Sequence, residues 1–296
     1  MKTLIFLALT VAASAQSTID SSHAVAYGGN IGWLNTLPSF PDGVRTGEYV
    51  CSGNIYAANV GWISLGDGSA DNGIRYSNGS ATDWGVNVMP AVLSGPDPVA
   101  PLRGFAYGAN IGWVNFEATG NPRIDLKTGR ITGYAYSANT GWLNLADATY
   151  YPRTKLLAPA PDTDADGIAD AWELERTGTA ASLTILSATG DADGDGVRDF
   201  AEYLADTNPR DGADRLRITN FNRTLVGLIH QDADLTWTSN PSRCYRIEYR
   251  DNLLSGTWLD VGSTFTAMGA TTNVVITELE VPQRFYRIAA QKPLSP

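Results

Sequence analysis

The most chemically loaded spacing in the chain occurs twice: residues 162–173 read DTDADGIADAWE and residues 191–202 read DADGDGVRDFAE. Both satisfy D-x-D-x-D-G-x-x-D-x-x-E. Calcium takes about six to eight hard oxygens on a flexible loop, and this register delivers them from positions 1, 3, 5, 7, 9 and 12. In the first loop, Asp162, Asp164 and Asp166 would offer side-chain oxygens and Ile168 its backbone carbonyl. Asp170 would add a direct or water-mediated oxygen and Glu173 a bidentate carboxylate. Asp191, Asp193, Asp195, Val197, Asp199 and Glu202 repeat the set, with Gly167 and Gly196 at the two sharp bends. One such match can arise by chance, whereas two complete registers point to two calcium sites.

Charge supports the same chemistry. Between Asp162 and Asp214 there are fourteen acidic residues and three basic ones, while the rest of the chain carries 18 basic residues against 17 acidic. The net charge of −10 therefore has one source. A concentrated block of carboxylates attracts cations, and without a basic patch nothing neutralises the phosphates of a nucleic acid.

Other constellations are weaker. His23 and His230 are the only histidines, and neither H-E-x-x-H nor G-x-S-x-G occurs. The chain reads as non-catalytic. The alternative is a carbohydrate-active enzyme using a carboxylate pair drawn from Glu48, Asp83, Glu117 and Asp125, although no spacing brings two of these together. Cys51 and Cys244 leave two readings, one interdomain disulfide or, preferred, two buried thiols.

The elements that must position the loops follow from repeats and turn residues. AYGGNIGWLN from Ala26, IYAANVGWIS from Ile55, AYGANIGWVN from Ala106 and AYSANTGWLN from Ala135 are four copies of one unit. Each reads as a hairpin: alternation at the period of a strand, an Asn-x-Gly turn with Gly left-handed, and a second strand begun by Trp. One Trp and one Tyr per unit leave two readings, a repeating core, preferred, or exposed rings that stack on sugars in a glycan-binding module. A further hairpin is expected at Asn78-Gly79 and another turn at Lys127-Thr128-Gly129.

Pro152, Pro159 and Pro161 mark an extended linker that forbids a helix before Asp162. Short exiting helices are expected at 169–176 and 198–205. From residue 214, alternating runs such as ADLTWTS, CYRIEYR and TNVVITE predict a small β-sandwich of immunoglobulin or fibronectin III kind, with Trp237, Tyr245, Trp258 and Tyr286 inside. The fold class is mainly β. Its expected units are a signal peptide (1–15), a four-repeat all-β domain (16–150), a linker (151–161), a paired calcium segment (162–213) and a β-sandwich (214–296).

Residues 1–15 combine Lys2, an apolar run from Leu4 to Ala13 and the small-residue signal Ala13-Ser14-Ala15. Export follows, to the cell surface, the medium or the periplasm, and no later run is long enough to span a membrane. Loops of this spacing without paired helices resemble dockerin or thrombospondin type 3 repeats. The AY-x-x-N-x-GW units, DWGVN at 83–87 and LKTGRITGYAYSANTGWLNL resemble secreted proteins of the Verrucomicrobia that carry similar calcium loops. LTWTSNPSRCYRIEYRDNLLSGTWLDV and QRFYRIAA resemble the fibronectin-like C-terminal module of that group. The resemblance implies an architecture and an exported location and no particular activity; weighed from the residues, the expected partner is an extracellular glycan or cell-surface protein.

Overall fold

The computed structural model describes residues 16–39, 43–178, 183–227 and 229–295, so the segment read as a signal peptide lies outside the described residues. The fold is mainly β, with two helices among the described residues. The four repeats form four hairpins: Ile19–Gly28 with Gly32–Asn35, Asn54–Ala57 with Gly61–Ser64, Asp97–Gly108 with Gly112–Asn115, and Tyr134–Ser137 with Gly141–Asn144. Each hairpin pairs antiparallel with the next, through Asn35↔Tyr56, Ser64↔Tyr107 and Asn115↔Tyr136. The fourth returns to the first through Asn144↔Tyr27, closing an eight-stranded barrel. Closure removes the open edges that a meander of short strands would present.

The turns explain how such short strands stay in register. Gly32, Gly61, Gly112 and Gly141 sit at φ of 78°, 83°, 71° and 80°, the left-handed conformation the Asn-x-Gly turns predict. The Asn side chains do something other than bond their own turn. Nδ2 of Asn59, Asn110 and Asn139 donates to the carbonyl of Ile31, Val60 and Ile111, each in the turn of the preceding hairpin. Asn30 donates to Thr140 and completes the ring, and all four bonds measure 3.0 Å. A Cβ built on each turn Gly would lie 3.4–3.7 Å from the incoming Asn amide, an ordinary contact, so it is the left-handed φ and not crowding by the tie that calls for glycine here.

The barrel reverses one expectation. The four repeat tryptophans face outward, with Trp33, Trp62, Trp113 and Trp142 exposed by 46–52 % and their cross-strand partners Tyr27, Tyr56, Tyr107 and Tyr136 by about 40 %. The interior is filled instead by Ala26, Leu34, Ile55, Ile63, Ala106, Val114, Ala135 and Leu143, with Ile31 and Ile111 plugging the turn end. Both sets are apolar and alternate along the same strands. Eight short strands enclose too little volume for eight large rings, so the small and branched residues take the inside.

Around this barrel, the long strand Asp97–Gly108 also pairs with Val86–Val88, Val92–Ser94 and Arg123–Asp125. Arg123–Asp125 forms the expected hairpin with Ile131–Thr132 about the turn at Lys127 to Gly129. The hairpin expected at Asn78-Gly79 is absent, because Asn78 at φ 55° lies in a loop whose backbone is held by side chains rather than by a ladder. Asp83 accepts from the N–H of Ser77 at 2.8 Å, and Asn87 both accepts from Tyr76 N–H and donates to its carbonyl.

Beyond residue 214 two antiparallel sheets share one core. Ile218–Val226, His230–Thr238 and Thr271–Leu279 form the first, and Cys244–Arg250 organises the second with Leu259–Asp260, Phe265–Thr266 and Phe285–Gln291. Trp237 and Tyr245 are buried between them as expected. Trp258 and Tyr286 are only half-buried, and Arg287 and Arg250 lie over the Trp258 ring at 4.5 and 5.6 Å. Cys51 and Cys244 are both free buried thiols, and burial pushes the Cys51 thiol up to about 12. No helix among the described residues is long and apolar enough to cross a membrane.

Candidate metal centres

The acidic segment builds two loops, each leading into a short helix: α1, Asp170–Thr177, and α2, Asp199–Ala205. As the prolines require, no helix enters the first loop. Asp162 shapes that loop by accepting from the N–H of Asp166 at 3.2 Å and of Gly167 at 2.9 Å, while Asp166 accepts from Ile168 at 2.8 Å. Asp191 holds the second loop in the same way, accepting from Gly194, Asp195 and Gly196, and Asp195 accepts from Val197. Gly167 and Gly196 take φ of 94° and 90° at the bends.

These folds bring ligand atoms together. Oxygens of Asp162, Asp164 and Asp166 lie within 4.8 Å of one another, as do those of Asp164, Asp170 and Glu173, and those of Asp191, Asp193 and Asp195. Glu173 and Glu202 reach in from the first turn of each helix and are fully buried. Both carboxylate oxygens of Glu173 lack any hydrogen-bond partner, as do Oδ2 of Asp166, Oδ2 of Asp193 and Oε2 of Glu202. Buried carboxylates are otherwise paired, because stripping one of water without compensation is costly. Here the neighbours are other acids. Burial first, and then Asp166 and Asp164, push the Glu173 carboxyl from an ordinary 4.5 up to about 8. Burial first, and then Asp193, push Glu202 up to about 7. Oxygen-only clusters of this kind fit a hard divalent cation, and calcium's size and flexible coordination suit the loop.

The ninth positions serve differently from the rest. Asp199 is fully buried and spends both oxygens on backbone, accepting from Ser187 at 3.0 Å and Ala192 at 2.9 Å. It clasps the loop and stands outside the metal-sized groups found among the described residues. Asp170 accepts from Thr163 N–H at 2.8 Å and from the Thr163 hydroxyl, yet still belongs to a group with Asp164 and Glu173. Ile168 and Val197 occupy the seventh positions, Ile168 with its side chain in the segment's core. The second loop is also partly neutralised from within, because Arg215 pairs with Asp195 Oδ2 at 3.1 Å and Thr207 donates to Glu202 Oε1 at 3.2 Å.

Under the loops lies a small shared core of Ile168, Ala169, Trp172, Leu186 and Tyr203. From it the segment grips both neighbours. Glu175 pairs with Arg75 of the barrel region, and Lys292, near the C-terminus, donates to Glu48 at 2.7 Å and to the Tyr203 hydroxyl. Arg243 donates to the carbonyls of Tyr203 and Leu204 at 2.8 and 2.9 Å, satisfying the end of α2. Asp206, left-handed just past α2, accepts from Trp172 Nε1, Arg176 and Ser242. Burial alone would raise its pKa, but Arg243, Ser242, Arg176 and Trp172 together hold it below the usual range. No sequence spacing pointed to Asp206 or Arg243, since the partners lie up to 40 residues apart.

The four acids considered for a carboxylate pair are engaged separately. Asp83 pins the 71–83 loop, Asp125 accepts from Lys127 and Thr128 in a turn, Glu48 is taken by Lys292, and Glu117 is exposed. Compared with models of protein families, with curated proteins and with solved structures, the chain matches none.

Proposed function

We propose that this chain is an exported, non-catalytic scaffold, structural or adhesive at the cell exterior, in which two calcium ions lock the acidic segment as a keystone between the barrel and the C-terminal sheets. The observation that carries this reading is the pair of fully buried glutamates with unpartnered oxygens: Glu173 lies in a metal-sized group with Asp164 and Asp170, and Glu202 lies outside the group of Asp191, Asp193 and Asp195 but leaves Oε2 without a partner. Calcium would supply the missing positive charge, with eleven of the twelve loop residues named from the sequence as its ligand set and the twelfth, Asp199, clasping the loop backbone. The two C-terminal sheets with their shared core support a fibronectin III-like or immunoglobulin-like module.

Extracellular calcium modules bind at about 10⁻⁴ to 10⁻³ M, so the sites would be filled outside the cell and the ion would be structural rather than a signal. Calorimetric titration of the full chain, followed by amide hydrogen exchange with and without chelator, tests the reading. Two equivalents are expected, with protection of residues 162–214 lost on chelation and protection of the barrel hairpins kept. No binding heat up to about 10 mM calcium, well above that range, would remove the ion from the account.

A further inference from the structure

The barrel's outer wall is not the same on all sides. Every hairpin shows a Tyr–Trp pair with ring centroids 4.9–5.1 Å apart. At the first hairpin Trp33 meets the edge of Tyr150, and at the fourth Trp142 meets Tyr134. Only at the third does a second tryptophan stand against the first. Trp84 meets Trp113 at 5.2 Å with the ring planes at 81°, and Phe105 lies 5.9 Å from Trp113 on the other side. Two tryptophans at right angles make a corner, and that corner opens into a cleft of about 410 Å³ lined by Asn78, Gly79, Ser80, Ala81, Trp84, Phe105 and Trp113.

Three features of the cleft select its occupant. Its volume lies within the range of about 300–1,000 Å³ usual for small-ligand sites, which combine aromatic walls with a few polar groups. Its walls are held in place. Asp83 and Asn87 fix the 71–88 segment through backbone hydrogen bonds, and Asn78 Oδ1 accepts from Gly85 N–H at 3.1 Å beside Trp84. Preorganised walls lower the ordering cost of binding. Finally, not one lining residue is charged, in a chain of net charge −10. An anionic partner would find no counter-charge there and a nucleic acid none for its phosphates, and a cation would meet only ring faces, with no carboxylate among the lining residues. An uncharged ring with an apolar face and hydroxyls on its rim fits best: the face packs on indole and the hydroxyls meet Ser80, the backbone of the 78–81 loop and water.

We propose that the Trp84–Trp113–Phe105 corner binds a neutral oligosaccharide, seating one sugar ring against Trp113. The neighbouring pairs let a longer chain follow the wall, since Tyr107 and Tyr136 lie at the barrel seams on either side of this hairpin. The calcium reading is independent of this site, whose ligand is uncharged and whose residues belong to the third barrel hairpin and the 78–84 loop beside it.

The full chain in millimolar calcium is titrated with neutral hexasaccharides of β-glucan, xylan, mannan and α-glucan type, read by tryptophan fluorescence and by calorimetry. At least one is expected to bind, with Trp113→Ala and Trp84→Ala each weakening it at least about tenfold. Trp33→Ala, equally exposed on the first hairpin, should change the affinity less than about twofold, and Ala81→Glu, at an exposed rim position where folding is not at stake, should block binding. The proposal is overturned if none of the sugars binds at about 10 mM, which is beyond any useful affinity. It is equally overturned if Trp33→Ala costs as much as Trp113→Ala, or if Ala81→Glu is silent while sugar still binds.

Discussion

The barrel and the calcium segment are neighbours built on opposite principles. The barrel closes its sheet by backbone pairing and fills its interior with apolar side chains. The acidic segment has a core of five buried apolar side chains and carries fourteen carboxylates, three of them, Glu173, Asp199 and Glu202, fully buried. Left to itself, it must hold two fully buried glutamates against like charge. A hydrogen-bonded ring of repeats specifies itself. An acidic segment of this size has little apolar area to offset chain entropy, so on the proposed reading it would borrow stability from a cation as well as from the partners it grips.

The largest effect that can sharpen this comparison comes from exchanging the same residue type in the two regions. Trp172 is fully buried in the calcium segment's core, touching Tyr203 and bonding Asp206, and Trp172→Ala is expected to cost about 3–5 kcal/mol, as emptying an aromatic core site does. Trp142 stands on the barrel's exterior, 48 % exposed, and Trp142→Ala should cost only about 1 kcal/mol, from lost packing against Tyr136. Urea unfolding of both variants in calcium decides it. Equal losses would mean that the barrel relies on its outer rings as much as the segment relies on its inner one.

A smaller effect, of about 2 kcal/mol, is expected from pH. Glu173 and Glu202 have folded-state pKa values raised to about 8 and about 7 from an ordinary 4.5. Between 4.5 and those values the calcium-free fold binds more protons than the unfolded chain, so its stability is highest below pH 4.5 and falls as pH rises toward 8. Calcium reverses the slope, because the ion takes the place of the proton. Its apparent affinity should drop several tens-fold between roughly pH 7.5 and 5.5, which is the ~2 kcal/mol at issue. Titrations at the two pH values, with and without Glu173→Gln, measure this. A pH-independent affinity would mean that these carboxylates do not hold the ion.

What was legible in the sequence divides along the same line. Both acidic loop registers stood in plain view, since the carboxylates of each come from one short stretch of chain and local spacing encodes them. The hairpins and their left-handed glycines were legible for the same reason. Which face of each strand turns inward was not. Alternation places Tyr27 opposite in facing to Ala26, but both faces are apolar, and only the closed barrel's small interior decides that the alanines go in. Asn78-Gly79 promised a hairpin, yet Asp83 and Asn87 offered the backbone side-chain partners in place of a strand. The clasp of Asp206 by Arg176 and Ser242 joins parts of the chain that no local pattern connects.

The smallest expected effect probes the barrel's own device. Asn59 Nδ2 donates to Ile31 O across the boundary between the first and second hairpins, outside the strand ladder, so removing it leaves every backbone pair in place. Asn59→Ala should therefore cost about 0.5–1.5 kcal/mol, the net worth of one hydrogen bond. Asn59→Asp should cost more, because a carboxylate would then face a carbonyl with no proton between them. The four ties form a ring, Asn30 to Thr140, Asn59 to Ile31, Asn110 to Val60 and Asn139 to Ile111, and a ring can be worth more than its members. Asn59 and Asn139 sit on alternate hairpins and share no partner, so the double alanine variant should lose the sum of the two single losses if the ties act independently. A double loss beyond that sum by more than about 0.5 kcal/mol would show that the ring closes as a unit, as the barrel's sheet does. No change in the barrel's unfolding midpoint for Asn59→Ala would leave closure to the backbone pairing alone, and the repeated asparagine would then be explained by the turn and not by the tie.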